Sequence, residues 1–251
     1  MKLNLLSFNI RINAPVDRKH AWDYRKEDVF HFINHKKFDI VGFQEPGPIM
    51  YQELKENLKN YDFFGAARSE GEEFTPIFIK KGLFEVIESD TLWLTDTPYT
   101  ESKILGSHHN RIATYVVLKV NSNQYLTVIN THLDYANDFI IFNQIEYLYR
   151  MMRILEIKYN TEIILMGDFN TYPNSIGTLF LSTKYNQVYN DPKNIGLTYH
   201  AYTDKEEGLP IDYIFFSNSI KLESFQIIHH QEKGKYLSDH YPINALFNLN
   251  N

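Results

Sequence analysis

The stretch "ILMGDFNTYPN", residues 164–174, decides how this chain is read. An apolar run ending at Met166 leads straight into Gly167, a carboxylate, an aromatic and an amide. A strand of that composition is buried, and it ends by delivering Asp168 and Asn170 together. Burying a carboxylate without a partner is costly, so a protein seldom places one there without a use for it.

The same pattern recurs along the chain. Apolar runs end at Asn9 in "SFNIR", Glu45 in "VGFQEPG", His132 in "INTHLDY", Asp212 in "LPIDYIFF", and Asp239 with His240 in "LSDHYPI". Singly, most have a plain explanation. Asn9 can bond a turn, Glu45 can face solvent, and Asp168 and Asn170 can open a following helix. Asp239 and His240 can form a surface pair. Asp212, between Ile211 and Tyr213, already points to use. Six strand ends carrying oxygen or imidazole groups are hard to attribute to turns, and ligand sites in α/β sheets form beyond strand ends. Carboxylate and amide oxygens suit Mg²⁺ or Mn²⁺. Two histidines beside acids suit protonation and orientation. Zinc is less favoured, because the chain has no cysteine and no HExxH motif.

Other strand-like runs fall at 3–8, 39–43, 76–79, 114–120, 125–130, 162–166, 211–216 and 241–247. Helical periodicity falls at 26–35, at 48–58 behind Pro48, and at 137–159, where Phe139, Phe142, Ile145, Leu148, Met152 and Leu155 share a face. The middle of the chain, 75–130, holds several strands with no helix between them. The mixture predicts an α/β sandwich of two packed mixed sheets flanked by helices, folded as a single domain over 1–251. The polar loop "AARSEGEEFT" reads as a solvent loop.

Composition narrows the function. Of 251 residues, 43% are hydrophobic and none is cysteine, which permits a sizeable core and excludes disulfides and thiolate chemistry. A net charge of −6 argues against tight non-specific nucleic-acid binding. The lysines at 80–81 and 233–235 are too short a cluster to track a phosphate backbone. No apolar run reaches membrane-spanning length. "MKLNLLSFNIR" is interrupted by Asn9 and Arg11 and lacks a small-residue cleavage site, so it reads as a first strand of a cytoplasmic protein rather than a leader.

In order, "FNIR", "QE", "NTHLD", "GDFN", "IDYIF" and "SDHYP" resemble the endonuclease/exonuclease/phosphatase, or DNase I-like, superfamily across residues 4–247. The resemblance implies a four-layered α/β sandwich and a metal-dependent phosphoesterase. It implies Asn9, Glu45 and Asp239 as ligands of one or two Mg²⁺ or Mn²⁺ ions, and His132 as a contact to the scissile phosphate. It implies Asp168 as the group serving the attacking water, Asn170 as a phosphate and metal contact, and Asp212 as the partner of the catalytic His240. Arg111, in "RIATY", resembles a phosphate clamp, and its guanidinium fork suits that task. Trp22 and Arg25 resemble a W-x-x-R feature of a bacterial branch, with sheet-edge packing and an ion pair as the plain alternative. His108 and His109 read as loop residues, and Tyr199 and His200 as pocket or packing.

The expected substrate is a small soluble phosphorylated molecule, a sugar phosphate or nucleotide, acted on by a monomer without membrane contact. A Mg²⁺-dependent nuclease on DNA or RNA is the alternative, and a non-catalytic binding module a third reading.

Overall fold

The computed structural model describes residues 1–205, 207–229, 231–232 and 234–249, so Lys233 of the second lysine group lies outside the described residues. In chain order the strands are β1 (Lys2–Asn9), β2 (Ile40–Gln44), β3 (Tyr61–Phe64), β4 (Ile77–Lys80), β5 (Glu85–Trp93), β6 (Ile112–Asn121), β7 (Gln124–His132), β8 (Thr161–Asp168), β9 (Asn186–Gln187), β10 (Asp212–Phe216), β11 (Lys221–Ile227), β12 (Gln231–Glu232), β13 (Lys235–Tyr236) and β14 (Ile243–Asn248). The α-helices are α1 (Trp22–Lys36), α2 (Pro48–Asn57), α3 (Asp138–Tyr159) and α4 (Ile176–Ser182).

One six-stranded sheet runs β11-β14-β1-β2-β4-β3 and the other β5-β6-β7-β8-β10-β9. Both are mixed: β1/β2 and β7/β8 are parallel, and their other neighbours antiparallel. Strand periodicity sorts side chains between layers. In β1, Leu3 and Leu5 join Val116, Val128, Ile164 and Ile214 between the sheets. Leu6 and Phe8 face the other way, onto Phe30, Ile33, Met50 and Leu54 of α1 and α2. On the far side, Ile145, Leu148 and Met152 of α3 cover the second sheet. Helices, sheet, sheet and helices make four layers, as expected from the sequence.

Buried amides stitch the sheets. Asn130 Nδ2 donates to the carbonyls of Phe43 (2.7 Å) and Pro76 (3.0 Å), and Gln44 Nε2 donates to Asn130 Oδ1 at 2.6 Å. Partnered amides of this kind hold two sheets at a set offset, because each slip would leave polar groups unmet.

Element ends depart from the sequence reading in instructive ways. Asp168 and Asn170 do not open the next helix: α4 starts later, capped by Ser175. Phe139, assigned to the buried stripe of α3, is exposed, while Ile145, Leu148, Met152 and Leu155 are buried. The loop around Gly71 is pinned by a bridge between Ala67 and Phe74. No helix among the described residues is long and apolar enough to cross a membrane.

Gly167 explains how β8 can end where it does. Its φ is +150°, and a Cβ there would lie 2.0 Å from the Thr131 carbonyl oxygen of β7. Only glycine allows the two parallel strands to approach this closely just before Asp168. Gly167→Ala is therefore expected to cost about 2–4 kcal/mol of folding stability, from backbone strain and steric overlap together. Denaturant titration of the two proteins checks it, and a loss below 1 kcal/mol, roughly the cost of a mild surface change, would contradict this account.

Candidate functional site

The two parallel pairs aim their C-terminal ends at one edge of the sandwich. Asn9 sits opposite Gln44 in the β1/β2 register, and His132 opposite Asp168 in β7/β8. The antiparallel β10 begins at Asp212, directly across from Asp168. The segment between β13 and β14 brings Asp239 and His240 to the same place. Arg111, His132, Asp168, Asn170, Glu45, Asp239 and His240 all line a single cavity of about 360 Å³. Asn9 and Asp212, both buried, lie behind its wall. The residues expected to serve catalysis, phosphate and metal are thus brought to one place.

Asn9 joins the sheets. Its Nδ2 donates to Glu45 Oε1 and to Asp168 Oδ2, each at 2.9 Å, while Oδ1 accepts from the Arg11 N–H at 3.0 Å. The Ile12 N–H donates to Glu45 Oε2 at 2.9 Å, and the Asn170 N–H to Asp168 Oδ1 at 2.9 Å. Three residues here have left-handed backbone that side chains disfavour: Arg11 (φ 54°), Glu45 (φ 69°) and Asn170 (φ 50°). Such strain gathers where the surroundings hold side chains for a task.

The imidazoles have opposite characters. His240 Nδ1 lies 2.9 Å from Asp212 Oδ2, and its Nε2 lies 3.7 Å from Asp168 Oδ2. Burial opposes the charged ring, but Asp212, Asp168 and Asp239 together push its pKa up to about 10. His132 is driven the other way, by burial first and then by Arg111 and Arg68. Asn170 Nδ2 donates to the Leu133 carbonyl at 2.9 Å, which orients that amide, and so His132 Nε2, 3.0 Å away, accepts. His132 is then neutral with its proton on Nδ1. Asp168 is raised by burial and by the charge of Asp212, with His240 opposing.

Acidic, imidazole and guanidinium groups share the cavity. Ligand atoms of Glu45, His132 and Asp168 lie within 4.8 Å of one another, as do those of Asp168, Asp212 and His240. The first group offers carboxylate oxygens and an imidazole, a donor set that suits a divalent ion. Asp239 stands beside the first group rather than within it, linked to Glu45 through Arg11. Arg111 Nε, 3.5 Å from Asp134 Oδ2, and His132 Nδ1 are buried without a hydrogen-bond partner among the described residues.

Several cavity residues carried no sequence signal. Arg68 and Glu73, from the loop read as solvated, pair at 3.0 Å inside the cavity wall. Burial and the nearby Glu45 raise the Glu73 carboxyl well above the usual range. Arg11, His109, Tyr135 and Tyr199 also line the cavity. His108 lies outside it, stacked on Tyr135 at 4.6 Å. His200 is buried against Tyr236 and Tyr241.

Trp22 packs away from the cavity and donates to Glu53 at 2.6 Å. Arg25 does not line the cavity and makes no ion pair among the described residues. It donates to the backbone carbonyls of His20 (2.8 Å), Ile10, Arg11 (2.6 Å) and Leu237 (2.9 Å), tying the turn after β1 to the segment before Asp239.

The sequence profile of the Endonuclease/Exonuclease/phosphatase family matches residues 4–240. A solved endonuclease/exonuclease/phosphatase from Bacteroides vulgatus is 28% identical, with a TM-score of 0.88 and 100% of both chains covered. The mannosyl-6-phosphatase of Bacteroides thetaiotaomicron shares the fold at a TM-score of 0.89 and 23% identity, over 98% of this chain and 100% of that one. The probable CCR4-Not complex 3'-5'-exoribonuclease subunit Ccr4 of Vairimorpha ceranae is 25% identical over 257 aligned residues. That match takes in 86% of this chain and 54% of the relative, so the chain spans about half of that curated protein's length.

The Asp212–His240 pair has a pH signature. Its histidine is raised in the folded state, so the stability it contributes is fully present below about 6.5 and is lost as pH rises through about 10. In metal-free protein, Asp212→Asn is expected to bring the His240 titration down toward or below its ordinary value and to flatten that loss. Imidazole NMR with denaturation at several pH values reads both. An unchanged His240 titration in the variant would refute the pairing.

Proposed function

This chain belongs to the endonuclease/exonuclease/phosphatase family, a family of phosphoester hydrolases, and from that premise we propose that it is a single-domain, Mg²⁺- or Mn²⁺-dependent phosphoesterase acting on a small phosphorylated molecule such as a sugar phosphate or nucleotide. The observation that carries this reading is the make-up of the cavity. Carboxylates cluster around an asparagine amide, with His132 close to both Glu45 and Asp168, and the Arg111 guanidinium lines the same space. Acidic oxygens suited to a cation and cationic or imidazole groups suited to a phosphoryl oxygen thus share one cavity.

The roles are those that the family resemblance implies. Glu45, Asp239 and, with its amide oxygen turned inward, Asn9 would hold the cation, and Asn170 would contact ion and phosphate. When bound, a divalent ion neutralises charge on the phosphoryl oxygens and stabilises the leaving oxygen. Asp168 orients the attacking water and takes its proton, a task helped by a pKa raised through burial and Asp212. His240, kept charged by Asp212, donates from Nε2 toward developing negative charge. His132 contacts the scissile phosphate, and Arg111 clamps a phosphoryl oxygen with its guanidinium.

A small substrate suits a cavity of about 360 Å³ on an acidic chain. The fold shared with a mannosyl-6-phosphatase supports a phosphorylated sugar; the match to a probable exoribonuclease subunit supports the nuclease alternative.

Asp168→Ala and His240→Ala are each expected to lower kcat by about 10³ or more, with the fold intact by circular dichroism. Near wild-type turnover in Asp168→Ala would remove its assigned role. Glu45→Gln is expected to shift the Mg²⁺ titration midpoint upward. A phosphate-release screen over sugar phosphates, nucleotides, inositol phosphates and short oligonucleotides, with and without EDTA, tests the substrate class. Turnover confined to oligonucleotides would replace the small-molecule reading with the nuclease one.

A further inference from the structure

We propose that Arg11 is a built-in counter-cation for the acidic cluster, which an incoming divalent ion must push aside, so that this arginine sets the metal affinity of the site. The inference rests on reading that cluster as a cation site.

Arg11 follows directly from the end of β1. Its left-handed backbone turns the chain back over the strand ends. Its N–H is fixed on Asn9 Oδ1 at 3.0 Å, and its carbonyl is held by Arg25 Nη2 at 2.6 Å. The guanidinium reaches three carboxylates in two different ways. Toward Asp17 it makes a fork, with Nε to Oδ2 at 3.0 Å and Nη2 to Oδ1 at 3.4 Å. Toward the cluster it makes only long charge contacts, Nε to Asp239 Oδ2 at 3.7 Å and Nη1 to Glu45 Oε2 at 3.9 Å.

That asymmetry decides the role. Asp17 is the mooring, and Glu45 and Asp239 feel the charge without directional bonds. Moving the guanidinium off the cluster therefore breaks no hydrogen bond to Glu45 or Asp239. With 29% of the side chain exposed, it has room to withdraw toward Asp17 and solvent. In metal-free protein Arg11 supplies positive charge that neighbouring carboxylates would otherwise lack. A divalent ion near Glu45 and Asp168 supplies more, and like charges at such short range repel.

The test uses the full chain stripped of metal, with Mn²⁺ as the probe, read by calorimetric titration and by thermal unfolding of the metal-free form. Arg11→Gln is expected to bind Mn²⁺ about tenfold more tightly, the order expected when one nearby like charge is removed. The same variant should unfold at a lower temperature without metal and gain more from Mn²⁺ than the wild type. Asp17→Asn is expected to do the opposite: the freed guanidinium settles onto Glu45 and Asp239, and Mn²⁺ binds several-fold more weakly. Arg11→Lys keeps the charge and should stay near wild-type affinity. Opposite signs in Arg11→Gln and Asp17→Asn separate this role from simple loosening of the loop, which would weaken both.

Unchanged or weaker Mn²⁺ binding in Arg11→Gln overturns the proposal. If that variant also loses affinity for inorganic phosphate, Arg11 is an anion ligand instead. Failure of the wild type to bind Mn²⁺ at all overturns the cation-site reading itself, an outcome distinct from equal binding by wild type and variant.

Discussion

One amide nitrogen holds the site together. Asn9 Nδ2 carries two hydrogens and gives one to Glu45, in its own sheet, and the other to Asp168, in the opposing sheet. Without a cation this orientation is the satisfied one, since turning the amide over would aim its oxygen at two carboxylates and take the acceptor away from the Arg11 N–H. The amide can serve both acids only if β1 and β8 end at the same height. The parallel pairs β1/β2 and β7/β8 ensure this by running their C-terminal ends to one edge. The polar stitch of Gln44 and Asn130, one layer below, keeps the sheets from sliding.

Charge is laid out with similar economy. Acids and arginines line one cavity, with Glu73 paired to Arg68. Burial raises the Asp168 and Glu73 carboxyls and lowers the Arg111 guanidinium, against the pull of the opposite charges beside them. Arg25 stands outside this balance. It is buried, yet it spends its donors on four backbone carbonyls rather than on a carboxylate. A guanidinium used this way behaves as a multi-armed bracket, and the strand end it braces carries both Asn9 and Arg11.

The site residues at strand ends were legible because a polar group placed at the close of an apolar run is conspicuous against its surroundings. Asp168, Asp212 and His240 were visible in this way, and so was the four-layer fold, through runs whose length and branching suit buried strands. Arg11 passed unnoticed because its importance lies in where a left-handed turn sends it, and φ angles leave no periodic trace. Arg68 and Glu73 were hidden in a loop whose polarity looked like solvation; only the bridge between Ala67 and Phe74 folds it inward. Arg25 was noticed for its spacing from Trp22, but carbonyl partners cannot be foreseen from side-chain chemistry, since every residue has one. Phe139 fits the helical spacing but is exposed, because in the first turn of α3 Ile140 and Ile141 are the residues turned inward.

The strand order carries a consequence for biosynthesis. Inside the first sheet β1 lies between β2 and β14, and β14 alone occupies that flank. Residues 2–9 precede every other described strand in the chain, yet their partner at 243–248 follows every other described strand. Throughout elongation the nascent chain therefore carries a central strand with one bare side, the condition that invites pairing with the wrong neighbour. The same late segment delivers Asp239 and His240, so a partly made chain can bring Asn9 and Glu45 together but has no histidine to charge. Completion of the site and closure of the sheet thus arrive together, with the last described strand.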